Sequence, residues 1–247
     1  MKEAHIQLDN TVNAKYAIMP GDPARIDRII PYLENVQELA YNREFRSIRG
    51  EYKGVPIIAI STGVGGSSCS LAVEELRHIG VECMIRIGSC GALQKYIQLG
   101  DMVFGSGAVR DDGASRTYVD LRYPAVPDTE LLTLLIEVAK ENNWNHHVGI
   151  IHSHETFYHD SNAEEEKYWS SLGVLGSDFE SAALFTIGRI RGAKTASILN
   201  NVVLYGQDTS ESIGDYVDGE NLSAIGEKRE IETALEALYR YDLRHRQ

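Results

Sequence analysis

Apolar runs of strand length alternate along this chain with longer segments whose apolar residues recur at helical spacing, and few folds accept that pattern. The strand-like runs fall at 16–19, 57–61, 83–87, 101–105, 148–152 and 195–201, and the helical segments at 23–33, 67–79, 128–142, 163–172, 180–191 and 226–241. Strands this apolar are buried, and helices lying between them in sequence supply the cover. The alternation predicts an α/β fold layered around a mostly parallel sheet. No Pro/Ser-rich or charge-dense linker breaks the 247 residues and no internal repeat is present, so residues 1–247 are expected to form one domain. The last helical segment carries Ile231, Leu235 and Leu238 on one face and charges elsewhere, which predicts packing on the sheet and little functional information.

Composition narrows the functional classes. A net charge of −12 and a pI near 5.1 oppose a broad nucleic-acid surface, so no nucleic-acid partner is expected and any anion site must be local. Cys69, Cys83 and Cys90 form neither a CxxC pair nor an even set, which argues against a disulfide framework or thiolate metal site and fits a reducing cytosol. The opening residues, MKEAHIQLDN, lack the apolar stretch of a signal peptide, and no run of about 18 apolar residues occurs. A soluble, cytoplasmic protein without a membrane partner is expected.

Candidate chemistry collects where strands end. The stretch 17–25, AIMPGDPAR, sets Gly21 directly after a strand and Arg25 at a helix start, which offers backbone N–H groups, a helix N-terminus and a cation to one anion. Gly-Asp-Pro is equally an ordinary turn. The stretch 61–70, STGVGGSSCS, again joins a strand to a helix, with glycines that let a ligand approach the backbone. It is neither GxGxxG nor a P-loop, which argues against a nucleoside triphosphatase. The stretch 85–92, IRIGSCGA, puts Arg86 inside an apolar run; a buried guanidinium is costly unless paired, so a carboxylate partner or a bound anion is expected. The run Glu164-Glu165-Glu166-Lys167 reads as a solvated helix start, and Trp144 and Trp169 read as packing residues.

Together the three stretches resemble the nucleoside phosphorylase family, which includes uridine phosphorylases and the hexameric purine nucleoside phosphorylases. Further matches are YNREF at 41–45, VRDDGAS at 109–115, YPAV at 123–126, TFY at 156–158 and DFESA at 178–182, so the resemblance runs from His5 to about Val203. It implies a three-layer α/β/α unit with a central mixed, mostly parallel sheet, assembled as homodimers that form a hexamer. It also implies that Gly21, Arg25, Arg86 and Ser89 hold phosphate, with Arg43 contributed by the neighbouring subunit. Glu180, beside Phe179, matches the holder of the ribose 2′ and 3′ hydroxyls, and His5 the histidine that crosses the dimer to the 5′ hydroxyl. Cys90, Gly91, Phe157, Asp178, Phe179 and Val203 fall at the base pocket. Glu44, Ser68 and the Val64 backbone match a monovalent-cation site that would take K+. Arginine forks suit phosphate oxygens on independent grounds, and a carboxylate that accepts both ribose hydroxyl protons also favours an oxocarbenium-like ribosyl group. Arg86, Glu180 and Arg25 are therefore the expected catalytic residues.

The implied reaction uses inorganic phosphate as co-substrate and needs no cofactor: phosphate attacks ribose C1′ as the base leaves, giving ribose 1-phosphate and free base. The base side departs from the family. Val202-Val203 stand where purine enzymes carry a Ser-Asp pair whose aspartate protonates purine N7, and an apolar pair donates no proton. Uridine phosphorylases are apolar there, but they follow Thr-Phe-Tyr with a Gln-x-Arg that reads uracil, whereas this chain continues HDSNA at 159–163. Arg110, His159, Asn162, Asn200, Asn201 and Tyr205 are the candidates to substitute. Asp178 and Phe179 replace the first glutamate and the methionine of the usual Glu-Met-Glu. Uridine phosphorylase is the expected activity. A purine nucleoside phosphorylase with an altered base pocket, a hydrolytic nucleosidase and a non-catalytic nucleoside-binding protein stay open as alternatives. Segment 206–221, polar and rich in Asp and Gly, is expected to close over the base.

Overall fold

The computed structural model describes residues 1–156, 158–207 and 221–246. Phe157 and positions 208–220 of the expected closing loop lie outside the described residues. Every apolar run forms a strand: β1 (Tyr16–Pro20), β4 (Val55–Ile60), β5 (Cys83–Ala92), β6 (Met102–Arg110), β7 (His146–Ser153) and β9 (Lys194–Val203). Three further strands, β2 (Glu34–Asn42), β3 (Phe45–Tyr52) and the short β8 (Gly176–Asp178), complete a nine-stranded sheet of order β2-β3-β4-β1-β5-β8-β7-β6-β9. It is mixed with a parallel majority, since β1–β4, β1–β5, β5–β9, β6–β7 and β7–β8 are parallel while β2–β3, β3–β4, β5–β8 and β6–β9 are antiparallel.

The sheet also closes on itself. Because β5 pairs with β8 and with β9, strands β5, β9, β6, β7 and β8 form a ring, and β1, β4, β3 and β2 extend from it as a wing. β5 is the pivot, with Arg86 in register with Met19 of β1 and Ser197 of β9. Among the described residues the helices are α1 (Arg25–Ile29), α2 (Gly66–His78), α3 (Gly113–Tyr118), α4 (Thr129–Glu141), α5 (Asn162–Ser171), α6 (Ser181–Ile190) and α7 (Asn221–His245). Helix α1 is shorter than its spacing predicts and passes into a 3-10 turn at Ile30–Tyr32, because Pro31 has no N–H to continue an α-helix.

Two large cores lie on opposite sides of the strands, a third and smaller one gathers Cys90, Val103, Ile151 and Leu199 of the ring strands, and period-two alternation decides which residue joins which. Ile18, Ile85, Phe104 and Ile198 pack with Leu131 and Leu135 of α4 and Leu235 and Leu238 of α7. Ala17, Met19, Ile58 and Met84 pack with Leu76 of α2 and Phe185 of α6. Each such buried aliphatic side chain contributes about 1.5–3 kcal/mol. The result is helix, sheet, helix, with the C-terminal ends of β1, β4 and β5 opening on one edge. No helix among the described residues is long and apolar enough to cross a membrane.

Candidate active site

Arg86 lies in the middle of this edge, 5% exposed on β5. Its Nε donates to Asp178 Oδ2 at 3.0 Å, its Nη2 lies 2.5 Å from Glu180 Oε2, and its Nη1 has no protein partner. The charge is therefore compensated on one side while the two N–H donors of Nη1 are left over. An unpaired buried donor costs about 1–3 kcal/mol, which an anion seated against it recovers. A Cβ at Gly88 would lie 2.6 Å from Arg86 Nη2, so the guanidinium folds over a position that glycine alone leaves open. Burial by itself would lower the Arg86 pKa, but Glu180 and Asp178 outweigh it and the net shift is upward.

The two carboxylates have different surroundings. Asp178 accepts from Ser153 Oγ at 2.5 Å, Ser181 Oγ at 2.6 Å and the Ser181 backbone at 3.0 Å, in addition to Arg86. Expected against the base, it lies with both oxygens on protein donors and ties the guanidinium to the first turn of α6. Glu180, just before that helix, accepts at Oε1 from the Gly65 N–H at 2.6 Å. Gly65 has φ +96° and ψ 158°, a conformation essentially confined to glycine, so the turn before α2 is shaped to meet this carboxylate. Burial pushes the Glu180 carboxyl up, and Arg86 opposes that shift.

The first two strand-end turns lie side by side, with the Gly63 N–H donating to the Gly21 carbonyl at 2.9 Å. Arg25 is buried, and its partners come from α7: Nη1 lies 3.1 Å from Glu230 Oε1 and Nε 3.2 Å from Glu227 Oε2. Arg28 also meets Glu227, at 2.6 Å. Neither glutamate stood out in the sequence, since the i, i+3 pair is indistinguishable from the other charges of an amphipathic helix. Ser89 is half-buried on β5. Arg43 is exposed at the β2–β3 turn, with φ +55°. Nearby, the His5 carbonyl accepts from Asn42 Nδ2 at 2.7 Å, and the His5 ring Nδ1 lies 2.6 Å from Glu75 of α2. Ser68 Oγ donates to Glu44 Oε1 at 2.6 Å, which holds the Glu44 carboxyl below its usual range, and Val64 between them in the fold's outer turn is 76% exposed. Groups of three or more His, Cys, Asp and Glu side chains that could hold a metal are absent among the described residues.

Around Phe179, which the resemblance assigns to the base, the structure brings together residues that spacing did not single out. Phe179 meets His154 edge-on at 4.9 Å, His154 stacks on His152 at 4.8 Å, and His152 faces Trp169 at 5.0 Å. His154 Nδ1 lies 3.1 Å from the Thr156 carbonyl, which places the ring proton there. Burial, helped by the neighbouring His152, pushes the His154 imidazole down to about 4, so it is neutral at physiological pH. Cys90 and Val203 are buried, and Gly91 is in register with both Val203 and Ser177. Of the proposed substitutes for the missing uracil readers, Arg110 is occupied by Ser115 and the carbonyls of Val119, Asp120 and Tyr123. His159 and Asn162 bond locally to Ser161 and Glu166. Asn200 and Asn201 are buried, and each leaves its Oδ1 unpaired.

Comparison with known proteins places this geometry. Residues 15–211 match a family described as the phosphorylase superfamily. A guanosine phosphorylase from Halorubrum lacusprofundi is 38% identical over 197 residues, covering 80% of this chain and 81% of that protein. The uridine phosphorylase of Escherichia coli (strain K12) is 38% identical over 205 residues, covering 77% of this chain and 80% of that protein. A crystal structure of uridine phosphorylase from Vibrio fischeri ES114 superposes with a TM-score of 0.91 at 41% identity, covering 97% of this chain and 98% of that one.

Proposed function

The chain belongs to the phosphorylase superfamily, and from that premise we propose that it is a nucleoside phosphorylase, a pentosyltransferase that cleaves uridine with inorganic phosphate. The observation that carries this reading is Arg86, its charge compensated by Asp178 and Glu180 yet its Nη1 left unpaired at the edge where the Gly21 and Gly65 turns converge. Phosphate is held there by Arg86, Arg25, Gly21 and Ser89, with the partner subunit's Arg43. Glu180 takes the ribose 2′ and 3′ hydroxyls, and the partner subunit's His5 the 5′ hydroxyl. As the C1′–N bond breaks, the base leaves with the electron pair and takes up a proton, while a phosphate oxygen forms the new bond to C1′. Positioning and charge stabilisation supply the rate, and Asp178 acts through Arg86 by fixing its plane.

Phe179, Cys90, Gly91, Val203 and Phe157 are assigned to the base and sugar pocket, whose apolar Val202-Val203 offers no acid to a purine N7. Glu44, Ser68 and the Val64 backbone are assigned to a monovalent cation. The partner subunits follow from a homodimer that builds a hexamer, and the three buried, unpaired cysteines suit a cytoplasmic enzyme. Guanosine is the second substrate reading, because the guanosine phosphorylase relative is as similar to the chain as the Escherichia coli uridine phosphorylase. Release of base from uridine, thymidine, inosine, guanosine and adenosine, each with and without phosphate, separates these readings. Uridine should turn over only when phosphate is present. Preferential cleavage of guanosine would move the assignment to a purine, and cleavage without phosphate would contradict a phosphorylase.

A further inference from the structure

The proposed phosphate site has an electrostatic problem, and Glu230 lies at its centre. Both arginines assigned to phosphate already face carboxylates: Arg86 faces Asp178 and Glu180, and Arg25 faces Glu227 and Glu230. Adding Arg28 on Glu227, three guanidinium groups meet four carboxylates among the described residues, a net charge of −1 when all are ionised. A phosphate anion would bring one or two further negative charges into the same low-dielectric place, where like charges repel strongly. The partner subunit's Arg43 offsets at most one of them.

Glu230 is fully buried on α7, and while its Oε1 meets Arg25, its Oε2 has no partner. The groups that face it come from three elements. They are Arg25 at the start of α1, Arg86, the Gly88 N–H and the Cys90 thiol on β5, and Glu227 one turn back on α7 with Arg28 behind it. Arg25 Nη1, 3.1 Å from Glu230, also reaches the carbonyl of Ile87 at 3.5 Å, which sets Glu230 beside the residue that follows Arg86, and each of these two side chains, Glu230 and Arg86, carries an unpaired buried atom, Oε2 and Nη1 respectively. A carboxyl that carries its proton on the unpaired oxygen is a donor, as Arg86 Nη1 is, and phosphate oxygens are acceptors. Burial pushes the Glu230 carboxyl up to about 8, with Glu227 adding to the rise and Arg25, Arg86 and the Gly88 N–H opposing it.

We propose that Glu230 is the proton-holding residue of the phosphate site: phosphate binds when Glu230 is protonated, and the Oε2 proton is donated to a phosphate oxygen. This rests on the phosphate site assigned above. Above the pH at which Glu230 ionises in the free protein, binding must take up one proton, so phosphate affinity falls as pH rises. A glutamate that merely held Arg25 in place would produce no such dependence.

The test is calorimetric binding of inorganic phosphate to the full chain without nucleoside, from pH 7 to 9.5, in buffers of different ionisation enthalpy. For the wild type, about one proton should be taken up per phosphate above pH 8, beyond that due to phosphate's own ionisation. Glu230→Gln stays neutral and keeps a donor. Its Kd divided by that of the wild type should therefore fall about tenfold per pH unit above about pH 8, with phosphate's own titration cancelling in the ratio. A ratio constant across that range overturns the proposal. Should the variant fail to fold, the wild type decides alone, and no excess proton uptake at pH 9 overturns it equally. Absence of phosphate binding to the wild type at every pH would overturn the phosphorylase reading, and this proposal with it.

Discussion

Arg86 is held by two carboxylates that cannot reach water, so removing it has two consequences rather than one. Arg86→Ala leaves Asp178 and Glu180 buried without their cation and should cost about 3–5 kcal/mol of stability, read from urea unfolding. Arg86→Lys is the cleaner probe of function, because it keeps the charge and loses the planar fork. Its kcat/KM for phosphate should fall about 100- to 1000-fold with folding retained, and wild-type kinetics in that variant would remove Arg86 from the site. Glu180→Gln should instead lower kcat by about 100-fold without raising the phosphate KM, since that carboxylate is assigned to the sugar and its charge on Arg86 opposes a second anion. Arg86 was legible in the sequence because a charge inside an apolar run has few innocent explanations. Glu230 was not, because a buried glutamate on an amphipathic helix looks like a solvated one until the helix is docked. Asp178 was placed on the site by its neighbours in DFESA, but its orientation behind the guanidinium depends on Ser153 and Ser181, which no linear pattern reveals.

At the scale of elements, the six apolar strands were readable because their aliphatic runs stand out, most of them buried on both faces, although β7 leaves Val148 and Ile150 exposed. Strands β2 and β3 escaped because they read as mixed charge, with Glu34, Gln37, Glu38, Arg46, Arg49 and Glu51 on a half-exposed wing. The three residues of β8 are too few to carry a period, and the ring they help close comes from pairings far apart in sequence. The end of β7 supplies a measurable consequence of that closure, since it buries His154 between His152 and Phe179. The unfolded chain accepts a proton at this imidazole near its ordinary value of 6.5, but the folded chain does so only near 4. Stability is therefore complete above pH 6.5 and declines as pH falls towards 4, by up to about 3 kcal/mol from this residue. In His154→Gln that share of the slope should vanish, so unfolding free energies of the two proteins should converge on acidification. Parallel acid profiles would mean that the imidazole is not held neutral.

For the whole molecule, the proposed site extends beyond one chain. Arg43 is at an exposed turn and His5 is docked on α2 beside it, a placement suited to residues offered to a neighbour. If the partner subunit's Arg43 completes each site, mixing inactive Arg43→Ala with inactive Arg86→Lys should restore activity, because a mixed dimer contains one site without either substitution. Random exchange gives about a quarter of wild-type turnover, and no recovery would place Arg43 outside the partner's site. The central claim is that phosphate, not water, receives the ribosyl group. A phosphorus NMR spectrum of the protein with uridine and inorganic phosphate tests it most directly. The account predicts a new sugar-phosphate resonance that grows in step with free uracil as the inorganic phosphate signal declines. Uracil released while the phosphate signal stays constant would contradict it.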